Sequence, residues 1–249
     1  MHILSISEYK TSFFLSLFGQ LTESVFVLIG IKFLFMRFGS IKDFTMNEVL
    51  VCYATVLMAF SMAETIFRGF DHFPNMIKSG EFDRLLVRPR NAVLQVLGMK
   101  IDFTRTGRLI QGLIVMVFVF SSSEIIWSFD KVLLLISMVL GGFVYFSGLF
   151  LAYAALSFFT IEGMEFMNVL TDGGRSFGAY PISIYGQHYL KFFTYVIPFA
   201  CFQYYPFLYI LGKSDNILYA FAPIFCILFV VPCILLWKYG VHKYSSTGS

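Results

Sequence analysis

Six long apolar runs constrain this chain more than any other feature of its sequence. A helix that crosses a bilayer needs about 20 mostly apolar residues. The runs lie at about 17–37, 49–68, 107–127, 132–158, 192–211 and 217–237. Of all residues 58% are hydrophobic and 13% are charged, whereas a soluble domain is typically about 25% charged. We therefore predict an all-α, polytopic membrane protein with six transmembrane helices, in which residues 1–249 form a single transmembrane domain.

The lysines and arginines are distributed unevenly over the connections between these runs. With both termini in the cytoplasm, 13 of the 18 basic residues fall on the inner side. Because cytoplasmic loops carry the excess of Lys and Arg, we predict a multi-pass plasma-membrane protein with cytoplasmic termini. The predicted inner residues are Lys10, Arg68, Lys78, Arg84, Arg88, Arg90, Lys100, Arg105, Arg108, Arg175, Lys191, Lys238 and Lys243. The predicted outer residues are Lys32, Arg37, Lys42, Lys131 and Lys213.

The connections predicted outside are short. They read GSIKDFTMN, SSSEIIWSFD and GKSDN, which is too little chain for an extracellular domain. The N-terminal segment MHILSISEYK mixes apolar and polar residues, and we predict an interfacial amphipathic helix there. We also predict an interfacial helix around Glu162 and Glu165, followed by a turn at Gly173 and Gly174.

The stretch MIKSGEFDRLLVRPR, residues 76–90, is unusually polar for a chain this apolar. Over residues 73–89 two sets of positions recur at helical spacing, Phe73, Met76, Ile77 and Gly80 and then Phe82, Leu85, Leu86 and Pro89. The opposite face carries Lys78, Asp83, Arg84 and Arg88. This pattern predicts two short amphipathic helical turns that are broken at Ser79 and Gly80. It fits two interpretations equally: a segment held on anionic lipid by its arginines, or a docking element for a cytoplasmic partner.

Polar side chains inside the apolar runs are costly and therefore mark candidate functional sites. Glu23 lies in the first run with no partner at helical spacing, so it either faces a polar cavity used by substrate or reaches the interface. Glu64 precedes Arg68 by four residues and is predicted to pair with it. In the stretch CFQYYPF, the residues Gln203, Tyr204 and Tyr205 fit either an aromatic belt or the wall of a translocation path.

No catalytic or metal-binding set is predicted. The cysteines stand in apolar runs and none forms a CxxC pair, while Glu162 and Glu165 resemble a paired-carboxylate site only superficially. The tripeptide GKS at 212–214 lacks the first glycine of a phosphate-binding loop. We therefore predict that this chain has no ATP site and hydrolyses no ATP itself.

Four stretches, taken together, resemble one family. They are IKSGEFDRLLVRP (77–89), GAYPISIYGQ (178–187), YVIPFACFQYYPFLYILG (195–212) and WKYGVHKYSSTGS (237–249). These stretches look like those of ABC-2-type permeases, the membrane subunits of one class of ATP-driven exporter. Within that family the chain resembles the six-span branch whose ATPase is encoded separately.

The resemblance implies a cytoplasmic coupling helix between the second and third spans, at about 71–86. It implies that Phe73, Ile77, Phe82 and Leu85 are apolar contacts to the ATPase and that Arg84 and Arg88 are polar contacts. The implied partners are a cytoplasmic ABC ATPase dimer, which holds ATP and Mg, and a second permease. A related chain is slightly favoured over an identical copy as that second permease. No cofactor in this chain and no nucleic acid are implied.

The sequence therefore predicts a permease subunit of an ATP-driven ABC exporter. Its substrate is predicted to be amphipathic or hydrophobic, a drug, peptide or lipid that leaves the cytoplasm or inner leaflet. The possible translocation path contains Glu23, Gln203, Tyr204 and Tyr205. One alternative is a stand-alone intramembrane enzyme, which requires either acidic residues that face histidines or a buried pair of serine and histidine. The other is the substrate-capture subunit of an importer, which requires no coupling helix.

Overall fold

The computed structural model describes residues 10–122, 125–160 and 165–245 of the chain, and these residues form an all-helical fold. The N-terminal interfacial helix predicted before residue 10 lies outside the described residues, as does Glu162. A single antiparallel bridge joins Ile41 to Phe44, and no strand occurs within the described ranges. The predicted fold class, an all-α membrane protein, is confirmed at this level.

Thirteen α-helices occur within the described residues. They are α1 (Lys10–Phe38), α2 (Met46–Phe67), α3 (Phe73–Lys78), α4 (Glu81–Leu86), α5 (Ala92–Met99), α6 (Thr106–Ser122), α7 (Phe129–Leu156), α8 (Glu165–Phe177), α9 (Gln187–Tyr195), α10 (Phe199–Gln203), α11 (Tyr205–Ile210), α12 (Leu218–Phe221) and α13 (Phe225–Lys243). Four short 3₁₀ helices connect them, at Arg68–His72, Phe103–Arg105, Ile182–Tyr185 and Ala222–Ile224.

Five helical segments of the described chain are long and apolar enough to cross a membrane. They are Phe14–Phe38, Met46–Lys78, Phe103–Ser122, Phe129–Leu156 and Leu218–Lys243. They correspond to five of the six predicted runs, all but 192–211. In the assembled bundle α2 is central and almost wholly buried, whereas α1 exposes most of its apolar side chains. The surface of the bundle is therefore formed far more by α1 than by α2.

The connection between α1 and α2 marks one end of the bundle, called here the Lys42 end. Thr45 and Glu48 form a capping box that starts α2, because each side chain accepts a hydrogen bond from the other's backbone N–H. The Lys42 ammonium donates to the Ser183 carbonyl at 3.1 Å, and the Lys213 ammonium donates to the Asp43 carbonyl at 2.7 Å. The chain is therefore at this same end at residue 183 and again at residue 213.

The opposite end, called here the Arg68 end, contains residues 68–105, 157–160 and 244–245. Phe158 links these parts, because its ring packs edge-on against Phe73 at 5.1 Å and against Tyr244 at 5.8 Å. Arg68 reaches Asp172 on α8 at 3.6 Å. The chain therefore passes from the Arg68 end to the Lys42 end between residues 172 and 183.

This path corrects two predictions. Residues 187–212 do not form one crossing helix at 192–211; they form α9, α10 and α11, which begin and end at the Lys42 end. Pro198 lies directly before α10, and Pro206 lies in the first turn of α11. The helix breaks near both residues, because proline has no N–H with which to continue a preceding helix. The turn predicted at Gly173 and Gly174 is also wrong, since both residues lie inside α8.

The end of α8 packs tightly against the centre of the bundle. A Cβ atom at Gly178 would lie 2.6 Å from the Phe199 ring and 2.8 Å from a Val56 methyl group. No side chain fits at such distances, so glycine allows α8 to approach α2 and α10 closely. Rings on α2, α7 and α10 fill the core beside this contact; they belong to Phe60, Tyr145, Phe146, Phe150, Phe199 and Phe202.

Candidate functional site

A buried carboxylate at the Arg68 end of α2 is surrounded by arginines. Glu64 is 1% exposed and accepts a hydrogen bond of 2.8 Å from Arg108, which lies in the first turn of α6. It also pairs with Arg68 at 3.1 Å and with Arg105 at 3.2 Å. The local pairing predicted between Glu64 and Arg68 is confirmed. The other two arginines come from a distant part of the sequence.

Arg108 extends this cluster to two further helices. Its second amino group donates to Glu23 on α1 at 2.6 Å, and Glu23 accepts another hydrogen bond of 2.6 Å from Arg175 on α8. The arginine–carboxylate network therefore connects α1, α2, α6 and α8. Its six members are Glu23, Glu64, Arg68, Arg105, Arg108 and Arg175.

The network continues into the connection that follows α2. Arg68 pairs with Asp71 at 2.6 Å, and Arg105 pairs with Asp102 at 3.0 Å. Burial tends to raise the pKa of Asp102, but hydrogen bonds from Thr104 and Arg105 outweigh it and lower the pKa below its ordinary value. Residues 68–105 are therefore held to the crossing helices by charge as well as by packing.

Two polar features decide how strongly this network holds. Arg108 is 6% exposed, so its charge is compensated almost entirely by Glu23 and Glu64. Removal of one member of a buried pair leaves an unpaired charge and is strongly destabilising. Glu23 is 46% exposed, and solvent screens its part of the network more. The network is thus firm at α2 and α6 and weaker where α1 and α8 meet.

A small cleft lies next to the exposed side of Glu23. Its volume is about 120 Å³, and it is formed by α1, α2 and α8. Ser24, Tyr53 and Arg175 supply polar atoms to its wall, and the Tyr53 hydroxyl donates to the Ser24 carbonyl at 3.1 Å. The structure thus places Glu23 at a small, largely apolar cleft, and two arginines occupy its carboxylate.

The predicted break between two helical turns is present in the connection after α2. α3 ends at Lys78 and α4 begins at Glu81, and Gly80 between them has φ +69°, a left-handed conformation that glycine adopts without strain. Phe73 and Phe82 are fully buried and meet edge-to-face at 4.9 Å. Trp237 on α13 packs against both rings. The α3–α4 segment (residues 73–89) is therefore anchored to the bundle.

This burial corrects the contacts implied for the segment. The side chains of Phe73, Ile77, Phe82 and Leu85 are at most 4% exposed and pack inside this chain, so they are not free to touch another protein. Arg84 and Arg88 are exposed. They line a groove of about 1040 Å³ between α4 and α5. The surface that another molecule meets here is cationic.

The polar residues predicted near the outer end lie in the helical hairpin of residues 187–212. Gln203 is fully buried, and its amide donates to the Tyr180 carbonyl at 2.9 Å, which fixes α10 to the end of α8. The Tyr205 hydroxyl shares a hydrogen bond of 2.9 Å with Thr194. Tyr204 packs against Tyr205 with the ring centroids 5.6 Å apart. All three stabilise the hairpin, and none of them lines the cleft beside Glu23.

Sequence reasoning missed three members of the network and one contact at the opposite end. Arg105, Arg108 and Arg175 count in the sequence only as positive charges near the membrane, although charged residues close to apolar runs signal buried pairs. At the Lys42 end, the Lys213 ammonium pairs with Glu48 at 3.0 Å and lies 4.2 Å from the Phe44 ring centroid. No group of three or more metal-ligating side chains occurs in the described part of the chain.

Comparison with known proteins gives one match. A family model described as ABC-2 family transporter protein matches residues 21–248. The match extends from the middle of α1 to beyond the end of α13, and so includes the whole arginine–carboxylate network. No curated protein and no solved structure matches the chain.

Proposed function

The chain belongs to the ABC-2 family of transporter proteins, and from that premise we propose that it is the permease subunit of an ATP-driven exporter. The family resemblance seen in the sequence is thereby confirmed, as is a multi-pass membrane protein of a transporter family. ABC-2 permeases generally work with an ABC ATPase in a lipid bilayer. In our proposal that ATPase is a separate cytoplasmic dimer, which holds ATP and Mg.

We propose six crossings of the plasma membrane, with the Arg68 end in the cytoplasm. Five crossings are the long apolar helices, and the remaining one runs from α8 to residue 183. Lys191 lies on α9, within the hairpin that starts and ends at the Lys42 end, so it belongs to the outer side in this topology. Most of the basic residues remain at the Arg68 end. The positive-inside rule therefore still supports cytoplasmic termini.

The arginine–carboxylate network is the observation that carries this proposal. The α3–α4 segment is the coupling element that meets the ATPase, and its buried aromatic face transmits movement to Phe158, just after α7, and to Trp237 on α13. Arg68, at the start of the same connection, is paired with Glu64, and Glu64 leads through Arg108 to Glu23. A displacement of this connection thus reaches α1 and α8, which border the cleft.

The contact with the ATPase is made by the exposed side of the segment. Arg84 and Arg88 supply the charge, and Leu86 and Val87, which are 41% and 86% exposed, supply apolar area. Phe73, Ile77, Phe82 and Leu85 hold this surface in place from within the chain. The anchoring makes the segment rigid, which favours transmission of movement over loose attachment to lipid.

The translocation path begins at the cleft that Glu23 borders. Its volume of about 120 Å³ is below the roughly 300–1,000 Å³ of a site for a drug-sized molecule. A second permease, related or identical, therefore completes the path and faces α1 and α8. Gln203, Tyr204 and Tyr205 stabilise the hairpin that closes the outer end. Aromatic and apolar surroundings suit an amphipathic or hydrophobic substrate.

Co-purification from native membranes tests this proposal. The double substitution Arg84→Glu, Arg88→Glu reverses the exposed charge without disturbing the buried rings. Lys243→Glu reverses an exposed charge at the same end, outside the segment, and serves as the control. We expect the wild-type chain and the control to retain an ATPase that the double variant loses. An ATPase that stays bound to the double variant, or is absent from wild type, contradicts the proposed coupling surface.

A further inference from the structure

A third cavity opens on the outer surface of the bundle, between α7, α13 and the start of α5. Its volume is about 700 Å³. Its wall is formed mainly by apolar side chains, among them Phe143, Val144, Leu151, Val230, Ile234 and Trp237. Ile234 is 40% exposed, so the groove is open to the hydrocarbon of the bilayer. A hydrocarbon chain is the material that fills such a groove in a membrane.

One end of this groove is polar and cationic. Lys238 and Asn91 line it, and Asn91 and Leu94 also line the groove between α4 and α5, so the two cavities adjoin. Arg90 lines that adjoining cavity. The side chains of Arg90 and Lys238 are exposed, and neither has an anionic partner among the residues that the structure describes. Two unpaired cations therefore stand where an apolar groove reaches the Arg68 end.

Local hydrogen bonds hold this polar end in place. Asn91 caps α5, because its side-chain oxygen accepts from the Val93 N–H at 2.9 Å. The Gln95 amide donates to the Arg90 carbonyl and to the Leu85 carbonyl, both at 3.1 Å. The backbone that carries Arg90 is thereby fixed to α4. The cationic end is preorganised rather than left to a mobile loop.

We propose that this groove binds one anionic phospholipid. An acyl chain packs against Val144, Ile234 and Trp237, and the headgroup phosphate lies between Arg90 and Lys238. Juxtamembrane lysines and arginines attract anionic lipids, whereas a zwitterionic lipid supplies the same chain without net charge. Inorganic phosphate has no part that fills the apolar groove. Because the apolar groove binds an acyl chain and the two cations bind a phosphate, the site binds an anionic phospholipid in preference to a zwitterionic one.

Fluorescence quenching of Trp237 measures occupancy of the groove directly. The chain contains two tryptophans, and Trp127→Phe leaves Trp237 as the single fluorophore. This variant is reconstituted into phosphatidylcholine vesicles in which half of the lipid is brominated on its acyl chains, either as phosphatidylglycerol or as phosphatidylcholine. We expect phosphatidylglycerol to be preferred at Trp237 by about fivefold for each of the two cations.

Three further variants separate the parts of the site. Arg90→Gln with Lys238→Gln is expected to abolish the preference for phosphatidylglycerol, while Lys243→Gln, on the same helix but outside the groove, is expected to retain it. Val144→Phe fills the groove and is expected to reduce quenching by both lipids. Equal quenching by the two lipids in the parent overturns the proposal. So does a preference that survives the double variant, or quenching that Val144→Phe leaves unchanged.

Discussion

Arg108 on α6 donates a hydrogen bond of 2.8 Å to Glu64 on α2, and these two side chains are only 6% and 1% exposed. This buried pair joins two helices that cross the membrane at the centre of the bundle. It also lies between the cytoplasmic connection proposed to meet the ATPase and the α1–α8 contact at Glu23. In the proposed exporter, the stability of the bundle and the transmission of movement through it therefore depend on the same pair.

Loss of either charge of this pair is expected to destabilise the protein strongly. Arg108→Gln leaves Glu64 and Glu23 short of a counter-charge, and Glu64→Gln leaves three arginines without their shared carboxylate. Breaking a buried pair costs about 3–5 kcal/mol. Thermal unfolding of the purified chain in detergent measures the loss. Lys32→Gln, at an exposed position on α1, is the control, and an Arg108→Gln variant as stable as this control would contradict the role of the pair.

Glu23→Gln is expected to loosen the contact of α1 with α8 while changing stability little. Glu23 is 46% exposed, so the lost pairing is worth about 0–1 kcal/mol after solvent screening. Spin labels at Val27 and Ser176, on opposite sides of the cleft, are expected to give a broader distance distribution in the variant. An unchanged distribution would show that packing alone holds α1 in place.

Gly178→Ala and Gly98→Ala are expected to have opposite effects. A methyl group at Gly178 meets Phe199 and Val56 in the core, and such overpacking costs about 1–3 kcal/mol. Gly98, inside α5, has open space where its Cβ would lie, and alanine there is expected to stabilise the helix by about 0.5–1 kcal/mol. Thermal unfolding of both variants gives the comparison. Equal effects would mean that α8 does not approach α2 as closely as described.

The stability of the Arg68 end is expected to depend on acid through Asp102. Its pKa is lowered in the folded chain, so its contribution is fully present above the unfolded pKa of about 3.9 and is lost as the pH falls through the lower folded value. Asp102→Asn should remove this part of the decline below about pH 4. Asp215→Asn, at an exposed position at the Lys42 end, should leave the decline as in wild type. Thermal unfolding between about pH 3 and pH 6 covers the transition.

The helices that could be predicted are those formed by long, uninterrupted apolar runs, because the length of such a run can be read from neighbouring residues alone. Five of the six predicted runs form such helices, and the break at Gly80 and the pair of Glu64 with Arg68 also follow from neighbouring residues. The sixth crossing proposed here contains α8, which the sequence does not predict as a crossing helix, because Asp172 and Arg175 make this helix amphipathic. The sequence predicts a crossing helix in place of the hairpin at 187–212, because its apolar composition hides the interruption near Pro198.

The candidate site was only partly predictable, because its contacts join residues that are far apart in the sequence. The sequence places Glu23 in an apolar run, but its partners Arg108 and Arg175 lie 85 and 152 residues further along the chain. Helical spacing identifies the apolar face that contains Phe73 and Phe82, but not whether another protein or this chain covers it. Trp237, more than 150 residues away, packs on that face.

By itself, the sequence determined that this protein is helical and membrane-embedded, and that a cationic, broken segment separates its second and third apolar runs. Those properties depend on composition and on spacing within a few turns of helix. Only the tertiary structure decided which side chains of that segment are exposed, which arginines neutralise Glu23 and Glu64, and that residues 183 and 213 lie at one end. These depend on contacts between distant parts of the chain, which exist only once the helices have packed.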